Sequence, residues 1–301
     1  MMELFTADAR FSDLTLGNAS VERLWSGGRW VEGPLYLRDH QMFLWSDIPN
    51  DRILRMHEDG QVGTYRQPAG FVNANTRDRE GRVISCEHGN RRVTRRELDG
   101  TITVLADQFE GKALNSPNDV VVHSEGSVWF TDPPYGILSD YEGGRRAQEQ
   151  PGCYVYRVDL ETGAVTAVVT DMAKPNGLAF SLDESFLYVA DSEATHDSGG
   201  AHSIWQFDVI DARTLTNKKH VVEVSPGVPD GFKLDEYGNI WTSAADGVHC
   251  YAPDGVLLGK ILLPEVVSNL TFGGLYGNRL FITASSSVYA VYTNVRGANL
   301  T

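Results

Sequence analysis

Short runs rich in Val, Ile, Phe, Tyr and Trp recur along the chain, separated by turn signals such as Asp59-Gly60, Asp99-Gly100 and Asp254-Gly255. Helical periodicity is nearly absent, so the pattern predicts antiparallel β-sheet. Six segments share one grammar: EGPLYLRDHQMFLWSD from Glu32, NANTRDREGRVISCE from Asn73, NDVVVHSEGSVWFTD from Asn118, NGLAFSLDESFLYVAD from Asn176, DGFKLDEYGNIWTSA from Asp230 and NLTFGGLYGNRLFITA from Asn269. Each opens with an acid or an Asn, runs through a strand and a polar turn, and ends in a second apolar strand. The starts are 41, 45, 58, 54 and 39 residues apart, the length of a four-stranded propeller blade plus variable loops. The prediction is an all-β fold, a six-bladed β-propeller of four-stranded antiparallel blades.

Further strand pairs complete the units, with Cys153 to Val158 against Ala164 to Thr170 and Ser203 to Val209 against His220 to Val224. After Asn269 the chain has room for only three strands. The run Ser20 to Trp25 supplies the missing outer strand, so an N-terminal strand closes the ring and removes an exposed sheet edge. No linker divides the chain. Residues 1–301 are read as a single propeller domain with about residues 1–19 as an N-terminal extension, and residues 135–151 and 193–202 as loops carried by blades.

Composition narrows the function. A formal net charge of −14 excludes a phosphate-backbone partner, which needs clustered cations. The pairs Arg91-Arg92 and Arg95-Arg96 are isolated and read as solvated strand or turn residues. No run approaches 18 apolar residues and the N-terminus lacks the pattern of a signal peptide, so the expectation is a soluble cytoplasmic protein with no nucleic-acid or membrane partner. Oligomeric state is left open. Cys86, Cys153 and Cys250 lack metal-ligand or disulfide spacing and read as buried free thiols. His196, Asp197 and His202 lie in a Gly-containing loop without finger spacing and are not read as a metal site.

In a propeller the first strand of each blade lines the central channel, so Glu32, Asn73, Asn118, Asn176, Asp230 and Asn269 converge on the axis. This ring of oxygen donors, without sulfur or imidazole, suits one hard divalent cation. Calcium is the first expectation, with zinc, manganese or magnesium as alternatives. Asn and Asp are also common turn formers, and a repeat protein repeats its turns. Two carboxylates at a dry axis, however, gain nothing from turn geometry and would balance a divalent charge. His88 follows the strand returning toward Asn73 and is expected near the channel mouth. Asp47, Asp132 and Asp191 end the equivalent strands and either cap turns or orient the ring residues.

The fragments Glu32-Gly33-Pro34, CEHGNRRV from Cys86, NSPNDVVV from Asn115, TDPPYG from Thr131, KPNGLAFS from Lys174, VPDGFKLDEYGNIW from Val228 and NLTFGG from Asn269 occur in one order. In these the chain, from about Ser20 to Thr293, resembles the gluconolactonase, regucalcin (senescence marker protein) and luciferin-regenerating-enzyme-like family. The resemblance implies that Glu32, Asn176 and Asp230 are metal ligands, with Asn118 a fourth ligand or a substrate contact. It also implies a substrate contact at Ser116, where regucalcin-like members carry Arg. Asn73 is followed by Ala74 where the family has Gly.

The expected activity is therefore metal-dependent hydrolysis of small sugar lactones, with Asp230 as general base and Asn118, Ser116, His88 and Asn73 holding the substrate. Two alternatives stand beside it: a phosphotriesterase-type hydrolase on the same site, and a non-catalytic interaction propeller. No Gly-x-Ser-x-Gly, Walker or dinucleotide fingerprint is present.

Overall fold

The computed structural model describes residues 4–298. Six antiparallel sheets follow one another along the chain as the blades of a six-bladed β-propeller. Their innermost strands are Val31–Leu37, Val72–Arg77, Val120–Val122, Pro175–Phe180, Phe232–Leu234 and Val267–Gly273. Three of these, in blades 1, 4 and 6, are buried at every residue, because channel and neighbouring blades cover them on all sides. The outermost strand of the first blade, Val62–Arg66, has no buried residue.

The burial gradient explains which strands the sequence displays. Second strands carry Trp45, Trp129 and Trp241, each fully buried between blades. Burying such a side chain contributes roughly 1.5–3 kcal/mol or more. Cys153–Val158 pairs with Val165–Met172, as expected to within two residues at the far end. The partner of Ser203–Ile210 is longer than expected, Thr214–Glu223. Its first half, TLTNKK, is mostly exposed and polar, so it carries no apolar alternation to read.

The ring closes as expected: Glu22–Ser26 pairs with Ser287–Tyr292, with Arg23 opposite Tyr289. The segment before it is more than an appendage. Leu4–Thr6 adds a fifth strand to blade 5 by pairing with Leu257–Leu262, and fully buried Phe11 packs 6.0 Å from the Trp241 ring. Cys86 and Cys250 are buried thiols, whereas Cys153 is only partly buried. One basic pair departs from expectation: Arg91 is 6 % exposed and built into the interior.

Candidate active site

The six ring residues lie at the N-terminal ends of the innermost strands, and contacts between successive blades join them. Gly33, with φ +55, abuts the Asn73 carbonyl so closely that a Cβ there would collide with it. Ala74 donates its N–H to the Asn118 carbonyl at 3.2 Å, and Gly177 donates to the Asp230 carbonyl at 2.9 Å. Asn176 also hydrogen-bonds the Asp230 carboxylate through its side chain. Gly231 donates to Ser268 at 2.8 Å, and Asn269 Nδ2 reaches Glu32 Oε2 at 3.0 Å, which joins the last blade to the first. The Gly33 N–H also donates to Glu32 Oε2.

Glu32, Asn73, Asn118, Asn176 and Asn269 are buried, and Asp230 alone of the six keeps partial solvent access. The Glu32 carboxyl is pushed well above the usual carboxylate range, first by burial and next by the charge of Asp230. Burial pushes Asp230 up as well, reinforced by the charges of Glu142 and Asp119. Asn73 Oδ1 and Asp119 Oδ2 are buried without a hydrogen-bond partner. A set of oxygen donors holding two mutually repelling carboxylates and orphaned acceptors fits a hard divalent cation. Among the described residues no three His, Cys, Asp or Glu side chains gather as a metal cluster, so the donor set consists of two carboxylates supplemented by amides. His196, Asp197 and His202 form no such cluster either.

A second layer fixes the backbone that carries the ring. Asp47 accepts the Arg29 N–H at 3.1 Å, Asp132 accepts Asn115 at 2.7 Å and Asp191 accepts Ala173 at 3.0 Å. Each donor lies three positions before its blade's ring residue, so these acids cap turns and by doing so set where Glu32, Asn118 and Asn176 begin. Ser243 Oγ does the same for the Asp230 N–H at 2.7 Å. Arg91 reaches across from blade 2 to the segment leading into Asn118. It donates to the carbonyls of Leu114, Asn115 and Ala113 and pairs with Glu149 at 2.8 Å, while Glu149 accepts the Ala113 N–H at 3.2 Å.

The expected substrate residues fall into two groups. His88 is fully buried beside the ring, with Nε2 3.3 Å from Asn73 Nδ2, and burial holds its pKa down to about 4. It is thus neutral at neutral pH and supports Asn73. The Ser116 hydroxyl is engaged with its own loop, donating to the Pro133 carbonyl at 2.6 Å and accepting the Gly136 N–H at 3.0 Å.

Residues 30–286 match the SMP-30/Gluconolactonase/LRE-like region. The chain belongs to that family. It is 30 % identical to a gluconolactonase of Zymomonas mobilis across 92 % of this chain and 82 % of the relative. A solved gluconolactonase from Xanthomonas campestris superposes with a TM-score of 0.90 at 35 % identity, covering 96 % of this chain and 94 % of that one. A regucalcin from Agrobacterium tumefaciens, described as a calcium-binding protein, shares the fold at a TM-score of 0.74 and 20 % identity, covering 91 % and 94 %.

Two acids of this SMP-30/gluconolactonase-type site escape a reading of the sequence. Asp119 is buried and its carboxyl is pushed up by burial, with Lys233 opposing. The available signal was its slot: the residue after the ring position is Gly33, Gly177 or Gly231 in three other blades, and a carboxylate there is out of pattern. Glu142 sits in the loop after the helical turn Tyr135–Leu138, which folds back through Gly144 N–H to the Gly136 carbonyl at 3.1 Å. Burial pushes Glu142 to about 7, and its charge acts on Asp230. A polar loop carries no periodicity that could have aimed it at the axis.

Proposed function

We propose that this chain is a metal-dependent lactonase that opens small sugar lactones. The observation that carries the reading is the buried oxygen ring, in which two mutually repelling carboxylates meet and only Asp230 retains access to solvent. The relatives supply the reaction class. Besides the gluconolactonases, a pentonolactonase of Haloferax volcanii is 29 % identical over 85 % of this chain. On this reading residues 1–301 form one propeller domain that acts in the cytoplasm. Among the described residues, no helix is long and apolar enough to cross a membrane.

Glu32, Asn118, Asn176 and Asp230 would hold the cation, calcium first with zinc, manganese or magnesium as alternatives. When bound, it supplies Lewis-acid polarisation of the ring carbonyl. Asp230 takes a proton from the attacking water as the new carbon–oxygen bond forms. The ring carbon–oxygen bond then breaks, and the departing oxygen receives that proton as the product hydroxyl. Asn176 and the Ser243 hydroxyl hold Asp230 in place for both transfers. Asn118 and Asn73 offer amides to the sugar, and neutral His88 keeps Asn73 oriented. Ser116 contributes through its loop, which its hydroxyl ties to Pro133 and Gly136.

The test is acid release from five- and six-membered aldonolactones by chelator-stripped protein, with calcium, zinc, manganese or magnesium added back singly. The expected result is turnover of a sugar lactone only with metal restored. Full turnover by stripped protein would remove the metal from the reading, and no turnover with any ion would remove the lactonase.

A further inference from the structure

The six strands that carry the ring also enclose a cavity of about 510 Å³ at their opposite ends, within the range of small-molecule sites. Every blade contributes to its wall, and none of the six ring residues does. Its apolar lining includes Leu35, Val120, Phe180, Leu234 and Phe272. Leu182 stands at the edge, 60 % exposed.

The charges of this wall do not cancel internally. Asp78 is held by Arg82 at 2.6 Å, and Arg77 by Asp39 at 3.2 Å, both partners lying outside the lining. Glu184 accepts the Ser124 N–H at 2.8 Å and faces His123 at 3.3 Å, and Asp183 accepts two serine hydroxyls at 2.7 Å. The remaining cations are Lys233, Arg79 and Arg38, for which no ion pair occurs among the described residues. Lys233 rises from an innermost strand; its Nζ donates to the Phe232 carbonyl at 3.1 Å, and its charge also acts on buried Asp119. In a chain of net charge −14, a cavity whose lining mixes apolar and polar groups and sets four cations, Arg38, Arg77, Arg79 and Lys233, against three acids, Asp78, Asp183 and Glu184, suits an anion with an apolar body.

We propose that this lower cavity is a second ligand site, separate from the ring, that takes a small amphipathic carboxylate. The carboxylate head lies toward Lys233, and the hydrocarbon body lies along Val120, Phe180 and Phe272 out to Leu182. Inorganic phosphate lacks the body and a neutral alcohol lacks the head.

Calorimetric titration of the full chain with octanoate, 1-octanol and inorganic phosphate tests this. Octanoate is expected to saturate one site and bind more tightly than octanol, with phosphate silent. Lys233→Met keeps the apolar bulk and is expected to weaken octanoate at least tenfold while leaving octanol unchanged. Leu182→Glu, at an exposed position that cannot disturb the core, is expected to weaken octanoate to a similar degree. No saturable octanoate binding, equal affinity for octanoate and octanol, or binding indifferent to both substitutions would overturn the proposal. The last outcome includes octanoate held at the ring instead.

Discussion

The two ends of the central channel are made by the same six strands and yet are opposite in kind. At the N-terminal end the strands deliver Glu32, Asn73, Asn118, Asn176, Asp230 and Asn269, packed side by side, acidic and, apart from Asp230, buried. At the other end they deliver Leu35, Val120, Phe180 and Leu234 around open space, with cations for which no ion pair occurs among the described residues. Strand geometry does not distinguish the ends, so the difference lies in what each end must withstand. Burying Glu32 beside Asp230 works against folding, and the fold meets that with a layer of hydrogen bonds from Asp47, Asp132, Asp191, Ser243 and Arg91. Around the lower cavity Asp78 is ion-paired and Asp183 and Glu184 are held by local hydrogen bonds, and no comparable layer points inward.

The largest effect should follow from removing the charge proposed to act as general base at the upper end. Asp230→Asn keeps the shape and most of the hydrogen bonds, and is expected to lower lactone turnover by about 10²–10⁴-fold, the range for loss of a general base. Thermal unfolding should be unchanged or raised, because the repulsion with Glu32 disappears. Turnover within a few-fold of the parent enzyme would remove Asp230 from the chemistry.

A smaller effect is expected from the supporting layer. Arg91→Ala leaves the carbonyls of Leu114 and Asn115 without their donor and frees the segment that carries Asn118. Each buried group left unpaired costs about 1–3 kcal/mol. Initial-rate kinetics should show kcat/KM falling by roughly tenfold or more, since a small misplacement of a binding residue is costly, with partial recovery in Arg91→Lys. Loss of stability with unchanged kcat and KM would make Arg91 purely structural and the two ends more alike.

The repeat made the blades and the ring legible because both recur: six openings of one grammar mark the six innermost strands, and the architecture brings them to one axis. What lies off the repeat was not legible. Arg91 read as a solvated residue because charge in a strand-turn context is usually exposed, and nothing local reveals that three backbone carbonyls from the next blade surround it. The strand Leu4–Thr6 is too short to show a period, and Glu142 reaches the site from a polar loop. The lower cavity left no mark either, since Leu35, Val120 and Phe180 look the same in sequence whether they face a neighbour or a void. Ser116 and His88 show a further limit: the sequence locates a side chain near a site without revealing which hydrogen bonds have already claimed it.

The smallest effect separates the two ends by pH. Burial pushes the Asp132 carboxyl up to about 7, outweighing the amides of Asn115 and Ser116 and the charge of Arg91. A carboxyl whose folded pKa lies above its unfolded value favours folding most when protonated. Between about pH 4 and 7 the unfolded chain ionises Asp132 and the folded chain does not, so stability falls across that window and levels off above it. Asp132→Asn cannot ionise, and its Oδ1 can still accept the Asn115 N–H. Relative to the parent chain it should therefore gain stability from pH 4 to 7, by about 1–2 kcal/mol, a discounted share of the full linkage value. His88, held down to about 4, tilts both proteins in the opposite direction and cancels in the difference. Urea unfolding of both proteins at pH 4.5, 6 and 8 measures it. Parallel pH profiles would mean that Asp132 ionises freely when folded, and that the turn before Asn118 is wetter than the buried upper end requires.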